Sequence, residues 1–223
     1  MKEVKAIILI LIIFICSACT SNHSTSQSTS TEQNTTPTVG ASNDILALRG
    51  EYFDFSIKNR LDYVPFFDEG KAPTTSVEYL FYAFAINLYN WGDDKGIMTR
   101  EYVEQVIQTH FDVKEITHES MRKGWDYDGK KYIAVPQGIK EEPIYVLQKY
   151  ETYNKNGLTI YKITLDYCSF HGLVPTEEDM ANIRANIGLD NLSSLTVLQK
   201  ECFQYYIDKK TEAIVFISHN IVN

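Results

Sequence analysis

From Met121 onward the apolar residues of this chain recur at every second position, and that period leaves few folds open. Tyr161, Ile163, Leu165 and Tyr167 alternate with Lys162, Thr164 and Asp166, as in a strand with one buried and one wet face. Ile144 to Tyr153 and Leu158 to Phe170 flank Asn154-Lys155-Asn156-Gly157, which predicts a hairpin, and Tyr127 and Tyr132 flank Asp128-Gly129, a type I′ turn signal. Two last strands, Leu195 to Ile207 and Glu212 to Ile221, are joined by Asp208-Lys209-Lys210-Thr211. The 15 Tyr, 11 Phe and 2 Trp suit a β-rich core.

Upstream the period lengthens. Val77, Leu80, Phe81, Phe84, Leu88 and Trp91 recur at helical spacing, which predicts a helix over Thr75 to Trp91, opened by a Thr75/Glu78 capping box and stopped at Gly92. A second helix is expected from the N-cap Thr99, with Val103, Val106, Ile107 and Phe111 on one stripe. The short Gly92 to Met98 link makes the pair an antiparallel hairpin. A short helix from Glu177 to Asn186, capped by Thr176 with Asp179 and ended by Gly188, interrupts the strands. Helices first and an antiparallel meander afterwards make the class α+β: an N-terminal helical hairpin packed on a curved antiparallel sheet, one globular domain over 43–223. In outline this resembles nuclear transport factor 2-like or cystatin-like domains, with no sequence motif carrying either.

The first 42 residues are different in kind. Lys2 and Lys5 precede an uninterrupted ten-residue apolar run, Ala6 to Ile15. Ten helical residues cover about 15 Å, half of a ~30 Å hydrocarbon core, which fits a secretory signal better than a permanent span. Ser17 and Ala18 then lead directly into Cys19. This resembles the lipobox of bacterial prolipoproteins, although position −3 is Cys16 where that family has an aliphatic residue. The resemblance implies cleavage after residue 18, a diacylglyceryl group on Cys19, and attachment to the outer face of the cell membrane through that lipid. Two acyl chains make a stable anchor where one is marginal. Thr20 to Ser42 holds 13 Ser or Thr among 23 residues and reads as a flexible tether.

The net charge of −8 leaves no basic footprint for nucleic acid. Asp93-Asp94-Lys95-Gly96 fails as a calcium loop, because EF-hand positions one, five and twelve become Trp91, Lys95 and Tyr102. His110 and His118 are eight apart, so they form no zinc pair at helical spacing. Asp126 and Asp128 are explained by strand and turn chemistry, and neither a metal nor a cofactor is expected. Cys168-Ser169-Phe170-His171 places nucleophiles near a base, but neighbours in sequence are not a catalytic pair until the fold assembles them. Trp91, Trp125, Tyr127 and Tyr132 lie near helix and hairpin ends, where rings could form a ligand platform or serve as half-buried strand residues. Alternation puts both Cys168 and Cys202 off the core face, as a disulfide or as two free thiols. The leading expectation is a lipid-anchored domain that binds an envelope or extracellular partner without catalysis. The alternatives are a small-ligand module with an aromatic-lined concave sheet and a hydrolase using Cys168 and His171.

Overall fold

The computed structural model describes residues 38–39, 42–86, 96–122, 124–134, 144–170, 173–189 and 192–222. The strands are β1 (Thr38–Val39), β2 (Ile97–Thr99), β3 (Trp125–Tyr127), β4 (Lys131–Ala134), β5 (Ile144–Lys155), β6 (Leu158–Ser169), β7 (Thr196–Ile207) and β8 (Ile214–Val222). The helices are α1 (Ser42–Lys58), α2 (Leu80–Ile86), α3 (Arg100–Phe111) and α4 (Glu177–Asn186). A five-stranded antiparallel sheet runs β1-β5-β6-β7-β8, and a smaller sheet runs β2-β4-β3. The α+β class therefore holds.

Alternation sets the register of the large sheet. Ile163 pairs with Phe203 and Phe203 with His219, while Tyr161 pairs with Tyr205 and Tyr205 with Phe216, so these rows share the core face. The β5–β6 turn uses Asn156 and Gly157, both at positive φ (51° and 77°), the backbone that a type I′ hairpin demands. Register shifts at Leu147/Lys149, Tyr167/Cys168 and Gln204/Tyr205 bend the strands and curve the sheet.

The helices depart from expectation in two ways. Thr75 does not cap a long helix: it forms a bridge with Thr117, and Ser76 N–H donates to the Thr117 carbonyl. The chain then takes a single 3-10 turn over Ser76–Glu78 before α2 begins, and Thr75 makes no side-chain cap to it. Trp91 and Gly92 lie outside the described residues. By contrast, Thr99 does cap α3, accepting from Tyr102 N–H, and Val103, Val106, Ile107 and Phe111 are buried. Capped as expected, α4 runs from Glu177 to Asn186 with a full Thr176/Asp179 capping box, although Gly188 falls inside a further 3-10 turn, Ile187–Leu189.

The second departure is α1, for which the sequence offers no clean stripe. Its apolar residues serve two clusters. Ile45 and Tyr52 join the main core with α2, α3 and the concave sheet face, whereas Phe53 joins Ile144, Val146, Cys168, Ile183 and Ile187 behind the sheet. A helix buried on two sides loses the single-face period by which it would be recognised. Buried Arg49 secures α1 to the sheet edge by donating from Nε to the Leu147 carbonyl at 3.1 Å, beside the β5 bulge.

His110 on α3 reports on this packing. Its Nδ1–H donates to the Ile214 carbonyl at 2.8 Å, and its ring meets Tyr82 edge-on at 5.5 Å. Burial pushes its pKa below the usual 6.5, partly offset by that hydrogen bond. The unfolded chain therefore takes up this proton first, so stability should fall as pH drops below about 6.5, until the folded value is reached. Urea midpoints measured at pH 7.5 and 5.5 should show the loss, and His110→Gln should flatten it. An equal pH slope in both proteins would contradict this role.

Candidate functional site

Two of the four aromatics expected to form a platform do come together. The β3–β4 turn is set by Asp128, whose Oδ1 accepts from the backbone N–H of Lys130 and Lys131 at 2.9 Å each. That pairs Tyr127 with Tyr132, their rings stacked at 4.6 Å. His118, from the stretch after α3, stacks on Tyr127 at 5.5 Å. Its Nε2 lies 2.9 Å from Glu104 Oε1, which also accepts from Arg100 Nε at 2.9 Å. Hydrogen bonds from Arg100 and His118 hold the Glu104 carboxyl below the usual range. An ionised Glu104 fixes the proton on His118 Nε2, so Nδ1 accepts from the Tyr132 hydroxyl at 2.7 Å. Such a carboxylate–imidazole–phenol chain could activate a reachable phenol. Tyr132, however, is fully buried, and burial raises its pKa. The chain of bonds braces α3 against the small sheet, leaving Tyr127, Glu104 and Arg100 at the surface.

Beside this corner lies an open groove of about 380 Å³ between α3 and the β7–β8 hairpin. Glu101, Glu104, Gln108, Asp112, Tyr206 and Asp208 contribute to its lining. Carboxylates, amides and a phenol make it a place for cationic or hydroxyl-rich groups, not for an apolar ligand. Trp125 does not join Tyr127 and Tyr132. Trp125 is 2% exposed and packs on Phe84 at 5.3 Å as core, and Trp91 lies outside the described residues.

A second cluster went unread in the sequence. Glu201 on β7 and His219 on β8 are each 2% exposed, and they pair at 3.0 Å between Glu201 Oε2 and His219 Nε2. Tyr145 donates to the same oxygen at 2.9 Å, and Gln199 donates to Oε1. Burial works to raise the Glu201 pKa, but the hydrogen bond and charge of His219, with Gln199 and Tyr145, bring it below its usual value. One signal was available: the odd positions 203, 205 and 207 read as core-facing, and one step back along the same face is Glu201.

The cysteines need a correction. Cys168 and Cys202 are off the main core face, as alternation requires, but neither is exposed and no disulfide joins them. Cys168 pairs with Val197, whereas Cys202 pairs with Thr164. Four residues of β6 separate those rows, about 13 Å against a Cα limit near 7 Å for a bridge. Cys168 is covered by α4 and the Ile187–Leu189 turn, and Cys202 lies near Glu151, Lys149 and Lys162, whose ammonium groups pair with the Glu151 carboxylate. Burial, with the nearby Asp166 carboxylate, pushes the Cys168 thiol up to about 12. The thiolate a nucleophile needs is not formed near neutral pH. His171, the other member of the suggested pair, lies outside the described residues. Both thiols should resist maleimide labelling in the native protein and react fully in denaturant without reductant. Labelling that needs reduction first would restore the bridge.

Among the described residues no group of three or more His, Cys, Asp or Glu could hold a metal ion, and no helix is long and apolar enough to cross a membrane. No protein-family model, curated protein or solved structure matches the chain.

Proposed function

We propose that this chain is a bacterial lipoprotein: an α+β domain tethered to the outer face of the cell membrane through acylated Cys19, acting by binding and not by catalysis. The observation that carries the anchor is the order of elements in the first 42 residues, a ten-residue apolar run, Ser17-Ala18-Cys19 and a Ser/Thr-rich spacer. The fold suits such an attachment. Thr38 pairs with Thr152 on the outer edge of β5, so the chain enters the domain at a sheet edge. From Cys19 to Thr38 there are 19 residue steps, up to about 65 Å when extended.

Binding is favoured over chemistry because Cys168, His118, Glu201 and His219 each have neighbours or hydrogen bonds inside the fold that occupy them. The surface left to a partner includes the acidic groove beside α3. Membrane fractionation of cells expressing Cys19→Ser tests the anchor. The variant should appear in the medium or as an unprocessed precursor, while Cys16→Ser should be processed and retained normally. A Cys19→Ser protein that is processed and fully membrane-retained would contradict the proposal.

A further inference from the structure

Arg60–Phe67 forms a strap across the end of the large sheet. It starts at Arg60, a non-glycine residue at φ 49°, turns once through Leu61–Tyr63, and ends in a two-way backbone bridge between Phe67 and His219 at 2.9 Å in each direction. Leu61, Val64 and Phe67 are buried beneath it. His219 ties the strap to the sheet through its side chain: Nδ1–H donates to the Val64 carbonyl at 3.0 Å. The other ring nitrogen faces Glu201, whose Oε2 already accepts from Tyr145. A carbonyl cannot donate and an ionised carboxylate cannot donate, so the pattern is complete with a proton on both nitrogens of His219. The ring is stacked between Phe203 at 3.9 Å and Phe66 at 4.2 Å, a face-on setting that suits a cation. Phe66 is 53% exposed, so the outer half of this sandwich is spent on covering His219 and not on filling the core.

We infer that the strap is a proton-controlled latch: the His219–Glu201 ion pair holds Arg60–Phe67 closed over the core face, and protonation of Glu201 opens it ahead of the rest of the sheet. Protonation leaves a buried imidazolium without its counter-charge, and opening returns that charge to water. Around the pair lie Tyr145 on β5 with the Tyr167 ring 5.5 Å from it, Leu165 opposite Glu201 on β6, Gln199 beside Glu201 on β7, and Asp62 of the strap close to Tyr145. Of these, Asp62 pairs with Arg60 at 3.4 Å and lies close enough to Tyr145 to act on its phenol. Opening would uncover Tyr145, Gln199, Glu201 and His219, polar groups converging on one end of the concave face.

The sign follows from linkage. Glu201 has a lower pKa closed than in water, where it would return to about 4.5, so the opening constant rises as pH falls below about 4.5 and levels off at the closed-state value. Hydrogen exchange on the full chain at pH 6, 4.5 and 3.5, corrected for the intrinsic pH dependence of exchange, reads this directly. Protection at the Phe67 and His219 amides should drop by up to about tenfold per pH unit in that window, with β5–β6 ladder amides unchanged. Glu201→Gln keeps a hydrogen-bonding partner for a neutral His219 but cannot titrate, so its strap protection should lose the acid dependence. Parallel loss at strap and ladder, no loss at either, or the wild-type acid response in Glu201→Gln would each overturn the latch. Should Glu201→Gln fail to fold, the wild-type comparison of strap with ladder decides alone.

Discussion

Glu201→Ala is expected to destabilise the domain by about 3–5 kcal/mol, the cost of removing one partner from a buried ion pair. Glu201 is 2% exposed and accepts from Tyr145, His219 and Gln199, so truncation leaves two buried donors and one half-buried donor without their acceptor. A domain of this kind has about 5–15 kcal/mol in all, so urea unfolding of the variant should start from a visibly lower midpoint. Because the pair's contribution is lost as pH falls through the folded Glu201 value, the difference between wild type and variant should shrink in acid, below about pH 4.5. A loss under 1 kcal/mol at pH 7 would mean that the network is not intact in solution.

Phe53→Ala should cost a similar amount, about 3–5 kcal/mol for a buried Phe whose cavity cannot close. Phe53 is 2% exposed and is the residue through which α1 reaches the cluster behind the sheet, against Ile144, Val146, Cys168, Ile183 and Ile187. Its loss should also expose Cys168, so maleimide should label that thiol in the native variant at a rate well above wild type. Stability lost without new reactivity at Cys168 would place the damage elsewhere than this cluster.

Strand positions were readable because the large sheet is wet on much of one face. Tyr161, Ile163, Leu165 and Tyr167 kept their alternation, and Asn156-Gly157 could be placed in a turn from chemistry alone. What stayed hidden has a common cause: contacts made far along the chain. The two-sided burial of α1 blurred its period, and the Thr75–Thr117 bridge took the backbone of an expected helix start. The back face at Cys168 is dry only because α4 returns to cover it, so alternation gave its direction correctly and its exposure wrongly. The same limit applied to the sites. Tyr127 and Tyr132 were near each other in sequence and remain so in space, but His118 and Glu104 arrive from another element. Glu201 and His219 became a pair only through the β7–β8 register.

The proposed anchor makes one modified residue hold the folded domain at the membrane, and the mass of the native N-terminal peptide reads that residue. Protein taken from membranes, digested and analysed by mass spectrometry, should begin at Cys19 and carry a diacylglyceryl group on its sulfur, with Met1 to Ala18 absent. The polar stretch from Thr20 has no large apolar surface with which to hold a bilayer, so retention should depend on that group. A membrane-retained mature protein with an unmodified Cys19 would contradict the claim.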